Sequence, residues 1–484
     1  MIKNNIKKNY MYNLVYQILI MIIPLITTPY LSRVLGAENI GIYSYTLSIT
    51  TYFILFGSLG VAMYGQREIA YNQDKKSERS KIFKEIFFLR FITLSASLIL
   101  FYITFCRNGE YHVYYTIFTL EIVANIFDIS WFFQGLEEFK KTVIRNVIVK
   151  LISVICIFLF VKTSNDLDRY ILIYVLSTLF GNLSLWVYIP KYTEKIEIKK
   201  LNIFRHFKPT ISLFIPQIAI QIYTVLDKTM IGFFVSDKSE VGYYEQAQKI
   251  VKLLMTIATS MGTVMMPRIA STFAKGNINK LREYMYSSFS FVTMLAFPIM
   301  FGTISVSNKF VVLFFGNGYD KVTPLICIIS PIIVFIGLSN IIGTQYLLPT
   351  KQQKKFTVSV VLGAIVNFIL NLVLIKEMKS IGASIATVIA ELSVTLIQFY
   401  FVRKEFKVTK ILKITYKYFI ASLIMFVMSV SISYFISSNL DSVIVQVIIS
   451  TIVYFGILVV LKDNYVISNL KKVTSLVAKK GKIR

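Results

Sequence analysis

The chain alternates between apolar runs of about twenty residues and short polar connections. A bilayer core about 30 Å thick takes about 20 residues of helix, so each run predicts one membrane-crossing helix. About fourteen runs qualify, over 9–32, 40–64, 83–105, 113–134, 142–162, 168–190, 209–234, 242–266, 284–307, 322–348, 357–376, 381–402, 414–437 and 440–461. The longest polar stretches between them, near 65–82 and 191–208, are too short to fold as domains. The pattern predicts an all-α polytopic membrane protein with no soluble catalytic module. The first run holds Pro24 and Pro29 and lacks a small-residue cleavage site, so it is expected to stay as a helix rather than leave as a signal peptide.

Composition adds an orientation to that pattern. Of 484 residues, 55% are hydrophobic and only 16% are charged, against about a quarter charged in a soluble domain. Soluble and disordered classes are excluded. The remaining charge is lopsided, with 52 Lys+Arg against 25 Asp+Glu giving +27. With the N-terminus inside, roughly 38 basic residues fall on the inner side and about 9 outside. The others, Arg90, Lys150, Lys228, Lys249 and Lys252, lie more than three residues inside a span, whereas those nearer an edge, such as Arg145, are counted with the side they border. The positive-inside bias places both termini in the cytoplasm and requires an even number of spans. Most of the charge is thus an orientation signal, and no nucleic-acid partner is expected.

Absences narrow the chemistry. Cys106, Cys156 and Cys327 are scattered, and His112 and His206 lie far apart, so neither a disulfide framework nor a metal site is expected. The chain has no G-x-x-x-x-G-K-[ST], no G-x-S-x-G and no G-x-G-x-x-G. By elimination, a polytopic chain with no nucleotide site and no soluble domain reads as a secondary transporter, without catalytic residues.

Shifting the sequence by 201 positions places Gly41 on Gly242, Tyr43 on Tyr244 and Arg67 on Arg268. The same shift superposes spans one and two on spans seven and eight in one orientation. Two parallel six-helix bundles follow, over 1–200 and 201–408, related by a pseudo-two-fold axis along the membrane normal. Residues 409–484 add two further helices and a basic cytoplasmic tail.

Ionisable side chains at membrane depth are costly and face a bundle interior or a wet cavity. Span seven carries Gln217, Gln221, Thr224 and Lys228 on one helical face, and span eight carries Glu245, Gln248, Lys252 and Thr256 likewise, with Lys249 four residues from Glu245. Span one holds Asn9, Asn13 and Gln17, with Arg33 at its outer end. Glu121, Asn125 and Asp128 line span four; Arg145, Asn146 and Lys150 line span five; Arg90 stands alone in span three. For this last group, helix gluing and mutual neutralisation compete with function. Spans seven and eight carry Lys228, Lys249 and Lys252 against Asp227 and Glu245, a cationic surplus suited to an anionic cargo. Arg67 and Arg268, at membrane edges, serve either as positive-inside anchors or in phosphate capture.

Several segments resemble the oligosaccharide-lipid flippases of the Wzx type, in the polysaccharide transporter family of the MOP superfamily. They are FDISWFFQGLEEFK (127–140), QIYTVLDKTMIGFF with SEVGYYEQAQKIVKL (221–253), TSMGTVMMPRIA (259–270), YLSRVLGAENIGIYSY (30–45), GQREIA (65–70) and LLPTKQQKKF (347–356). The resemblance implies two six-helix bundles around a central cavity in the bacterial plasma membrane. It also implies a cargo of undecaprenyl-diphosphate-linked oligosaccharide, flipped by alternating access for capsule, exopolysaccharide or O-antigen assembly. No cofactor is implied beyond a coupling ion, H+ or Na+. Polysaccharide polymerase and glycosyltransferases become the implied partners. Expected substrate-binding residues are Arg33, Arg67, Arg90, Lys150, Gln217, Gln221, Lys228, Gln248, Lys249, Lys252 and Arg268, with Lys228 and Lys252 on the diphosphate. Ion-coupling candidates are Glu121, Asp128, Asp227, Glu245 and Glu391. The alternatives are a lipid II flippase, a drug/ion antiporter, or a membrane-embedded polysaccharide polymerase. The short outer connections at 33–39, 106–112 and 235–241 argue against the enzyme.

Overall fold

A computed structural model describes the backbone of residues 2–463 and Ile467; side chains are described from Met21 onward, except at 198, 212, 213, 215–217, 219, 220, 222, 263 and 264. Asn9, Asn13, Gln17 and Gln217 therefore lie outside the described side chains. Among the described residues there is no strand. The helices are α1 (Ile2–Ser58), α2 (Val61–Tyr71), α3 (Lys76–Phe101), α4 (His112–Ile126), α5 (Ser130–Gly135), α6 (Phe139–Phe160), α7 (Leu167–Ser184), α8 (Ile189–Tyr192) and α9 (Phe207–Phe234). They continue with α10 (Ser239–Thr259), α11 (Met261–Ala274), α12 (Ile278–Phe315), α13 (Val322–Ile329), α14 (Ile332–Asn340), α15 (Gln353–Val402), α16 (Val408–Ser433) and α17 (Asn439–Val460).

Among the described residues, 10 helical segments are long and apolar enough to cross a membrane. Two of them, Met21–Tyr71 and Gln353–Val402, each contain two of the spans expected from the sequence. Their halves meet at single non-helical residues, Gly36 (φ 77°, ψ 170°) and Lys379 (φ 53°, ψ −128°). A left-handed φ strains any side chain but glycine's, so Gly36 is a natural breakpoint and Lys379 is not. The seventh expected span corresponds to α9, whose side chains are described only in part, and the eighth, 242–266, to α10 and the start of α11 with a turn at Ser260 between them. Glu240, Glu245, Lys249 and Lys252 make α10 more polar than α9.

The chain divides into two compact units, Met1–Gly242 and Tyr243–Arg484. In the first, α2, α3 and α5 close around an aromatic core of Phe83, Trp131, Phe132 and Phe133, with Val61, Ile69, Ile86 and Leu185. Removing that apolar surface from water or lipid headgroups stabilises the end of the bundle, at about 25 cal/mol per Å² for the water case. Beside this core sits a buried polar hub. Glu85 on α3 accepts from the Asn202 backbone N–H at 2.7 Å, from Arg205 Nε at 2.8 Å, and faces His206 Nε2 at 2.8 Å. His206 Nδ1 faces the Tyr64 hydroxyl at 2.7 Å. A neutral ring, donating from Nε2 to Glu85 and accepting from Tyr64 at Nδ1, satisfies every partner. Burial holds the His206 pKa below its ordinary value, with Glu85 opposing the shift. The hub ties the segment after α8 to α2 and α3.

At the other end of the unit, backbones approach closely. A Cβ on Gly41 would lie 1.7 Å from the Lys238 carbonyl oxygen, and one on Gly242 would lie 2.0 Å from that of Ala37. The glycines matched by the internal repeat are thus in contact with each other's segments. Buried Lys238 donates to the Gly232 and Val235 carbonyls at 2.8 and 3.0 Å, capping the C-terminus of α9, where a cation is favoured. Burial lowers the pKa of its ammonium.

In the second unit the 38-residue α12 is the spine, and the two C-terminal helices α16 and α17 pack against it. Tyr418, Met425, Tyr454 and Leu458 form that contact, and the Tyr454 hydroxyl donates to the Met294 carbonyl at 2.7 Å. A larger core joins α11, α12 and the π-helical turn Ile341–Leu347 through Met265, Ile269, Met285, Phe289, Ile342 and Leu347. Along α15 most of the buried residues are small or polar, among them Ser359, Gly363, Asn367, Asn371, Gly382, Ser384 and Thr387. Such residues let helices approach closely and hydrogen-bond across the contact where no hydrophobic drive exists.

Candidate functional site

Polar side chains gather in one place inside the first unit. The short α5 follows α4 after a break at Phe127–Ile129, and that break turns Asp128 toward α6 and α7. Asp128 Oδ1 accepts from the Ser130 backbone N–H at 2.9 Å and from Ser130 Oγ at 2.5 Å. Arg145 on α6 donates to Ser130 Oγ at 2.8 Å and to Asn182 Oδ1 at 2.5 Å. Asn182 in turn donates to the Ala124 carbonyl at 2.7 Å, closing the network back onto α4. Arg90, 3% exposed on α3, brings Nη2 to 3.9 Å from the other oxygen of Asp128.

A cavity of about 440 Å³ opens over this network. Glu121, Asn125, Asp128, Arg145, Asn146 and Lys150 line it, together with Tyr170, Tyr174 and Thr178 of α7 and Thr27 of α1. The stripes expected on spans four and five therefore face a single chamber, which admits water or a small polar ligand. Glu121 is 6% exposed, Thr178 hydrogen-bonds to it, and its Oε2 has no partner.

In the second unit, α10 presents a hydrogen-bonded chain. Lys252 Nζ donates to Gln248 Oε1 at 2.7 Å, and Gln248 Nε2 donates to the Tyr244 hydroxyl at 2.8 Å. That hydroxyl lies 2.9 Å from Thr387 Oγ1 on α15. The chain fixes the direction of the Lys252 ammonium. Lys249 and Glu245 are half-buried on the same helix. A second cavity, of about 500 Å³, is lined by Arg268, Lys275 and Lys280 with Ser271, Thr272, Asn277 and Tyr284, all from α11, α12 and their connection.

The remaining expected residues are more dispersed. Asp227 is buried on α9, Lys228 is half-buried, and Gln221 and Thr224 are exposed. Arg33 and Arg268 are exposed, and Glu391 is buried on α15. Exposed Arg67 pairs with its neighbour Glu68 at 3.0 Å and lies over the Tyr64 ring. The structure thus brings Glu121, Asp128 and Lys150 to one cavity, with Arg90 behind Asp128, and joins Gln248 to Lys252. Ser130, Asn182 and Thr178 complete the first site without having been singled out by the sequence; isolated Ser, Thr and Asn carry no periodic signal.

A family model described as polysaccharide biosynthesis protein matches residues 6–273, more than half of the chain. The chain belongs to that family. A further model, MatE, matches residues 213–374 of the chain. An Escherichia coli (strain K12) protein named for O-antigen transport is 27% identical over 410 residues, 83% of this chain and 98% of its own length. The capsular polysaccharide biosynthesis protein CapF of Staphylococcus aureus is 23% identical over 413 residues, 82% of this chain and 100% of its own. A solved structure of the lipid II flippase MurJ, in an inward closed conformation, shares the fold with a TM-score of 0.75. That likeness covers 94% of this chain and 100% of the MurJ chain at 18% identity. The chain is thus a member of the polysaccharide biosynthesis protein family with the fold of the MurJ structure and many apolar helices long enough to cross a membrane.

Proposed function

We propose that the protein flips undecaprenyl-diphosphate-linked oligosaccharide from the inner to the outer leaflet of a bacterial plasma membrane, for capsule, exopolysaccharide or O-antigen assembly. The observation that carries this reading is the family match over 6–273, in which relatives spanning four fifths of the chain are named for O-antigen transport and capsular polysaccharide. Glycosyltransferases would supply the cargo and a polymerase would consume it.

The physical requirement is to carry a diphosphate and its sugars past hydrocarbon. A diphosphate stranded in lipid is prohibitively costly, and cationic side chains beside water replace its hydration. Lys252 of the second unit is the cation assigned to that task, its ammonium held by a hydrogen-bonded chain through Gln248 and Tyr244. The lipid tail stays in the bilayer throughout. Alternating access, driven by an H+ or Na+ gradient, completes the cycle.

A drug/ion antiporter is the second reading, since a multidrug transporter of the MATE family has a similar fold. The cationic surplus on α9 and α10 disfavours organic cations as cargo. A lipid II flippase differs from the proposal only in the headgroup. The test is deletion of the gene in its own host. Surface polysaccharide should disappear while lipid-linked repeat units accumulate, and mass spectrometry of that lipid identifies the cargo. Unchanged surface polysaccharide with no accumulated lipid would rule the reading out.

A further inference from the structure

Two opposite charges face the cavity of the first unit without pairing to each other. Glu121 on α4 is buried, with Thr178 as its partner and Oε2 unpartnered. Lys150 on α6 lines the same space, and no ion pair joins the two. The other charges there are engaged. Asp128 is held by Ser130, which Arg145 bridges, and is faced by Arg90. From α7 the phenols of Tyr170 and Tyr174 face the chamber; α1 contributes Ile23, Thr27 and Leu31, with no ionisable group.

An ionised Glu121 in that setting needs either water or a cation. A hard metal cation requires a shell of oxygen ligands, six to eight for Ca²⁺, and here it would also meet Lys150 and Arg145. A proton requires one oxygen and removes the charge outright. Asp128 is a poorer recipient, because protonating it would disrupt a network already satisfied by an arginine and a serine.

We propose that Glu121 is a proton-binding carboxylate in the cavity of the first unit, taking up and releasing one proton per transport cycle. The step is a simple exchange with water. An O–H bond forms at the carboxylate as hydronium becomes water, and the reverse restores the anion. When Glu121 is neutral, Lys150 loses its attraction to that carboxylate, so the spacing of α4 and α6 is biased by the proton. The proposal rests on the transport reading for its purpose, though not for its measurement.

Infrared difference spectroscopy tests it on the full-length protein in lipid vesicles. As pH is lowered, the wild type and Asp128→Asn should both show a carbonyl band from a buried protonated carboxylic acid, and Glu121→Gln should lack it. A band retained in Glu121→Gln overturns the proposal, as does a carboxylate signal in the wild type that responds to sodium rather than to pH. Glu121→Gln is close to isosteric, and a melting temperature matching the wild type confirms that it folds. In transport assays the same variant should lose its response to a pH gradient. If the wild type moves no lipid-linked oligosaccharide yet the band titrates, the flippase reading fails and the proton site stands. If transport persists while Glu121→Gln keeps the band, the site fails and the flippase reading stands.

Discussion

Replacing Lys252 with Gln removes a charge from α10 while keeping a long polar side chain of similar helix propensity. In the structure the ammonium is aimed by Gln248 at 2.7 Å, which is held by Tyr244 at 2.8 Å, itself 2.9 Å from Thr387 on the neighbouring α15. A hydrogen bond from a charged group contributes about 1.5–3 kcal/mol. At about 1.4 kcal/mol per factor of ten, Lys252→Gln should raise the KM for a diphosphate-linked substrate by about 10- to 150-fold. Gln248→Ala leaves the charge and removes only its orientation, so a loss of about 0.5–1.5 kcal/mol is expected, roughly 2- to 10-fold. Lys252→Arg keeps the charge and should recover most of the effect. The assay is translocation of a fluorescent polyprenyl-diphosphate sugar in proteoliposomes, normalised to reconstituted protein and read as KM and kcat separately. Wild-type KM and kcat in a well-folded Lys252→Gln would refute the assignment of Lys252 to the cargo.

Three further outcomes follow from the geometry. Glu85→Ala deprives the Asn202 N–H, Arg205 and His206 of their common acceptor, and should destabilise the protein by about 3–5 kcal/mol, as when one partner of a buried ionic pair is lost. Thermal unfolding in detergent reads this, with Glu85→Gln, which retains an acceptor, closer to wild type. His206 releases its proton more readily when folded than the free side chain, whose pKa is about 6.5. Its contribution is therefore present above about pH 6.5 and is lost as pH falls through the folded value, so His206→Gln should flatten the decline in melting temperature on acidification. Gly41→Ala would drive a methyl group onto the Lys238 carbonyl and should cost about 1–3 kcal/mol or more, measurable as a drop in melting temperature and membrane yield.

The helices were legible because lipid imposes a simple rule, about twenty apolar residues per crossing, and the chain obeys it. The turns between them were less so. The connection expected over 33–39 contracts to a single kink at Gly36, and Lys379 breaks α15 in a conformation that no lysine would advertise. The polar groups of spans four and five were readable as ionisable residues at membrane depth, Glu121 and Asp128 beside Arg145 and Lys150. Their convergence was not, because it depends on how α4, α6 and α7 pack. The Glu85–His206 pair was invisible for a related reason. Its members are 121 residues apart, and a lone histidine outside the spans looks like any surface residue. The Gly41–Gly242 match is detectable as a repeat, but only the fold reveals that the paired glycines stand where backbones touch.

Purified protein in sealed vesicles decides whether a lipid-linked oligosaccharide is transported. A polyprenyl-diphosphate oligosaccharide confined to one leaflet should become accessible to an impermeant glycosidase on the other side at a rate proportional to the protein incorporated. Accessibility no faster than in protein-free vesicles, with folded protein present and either ion gradient imposed, would contradict the account.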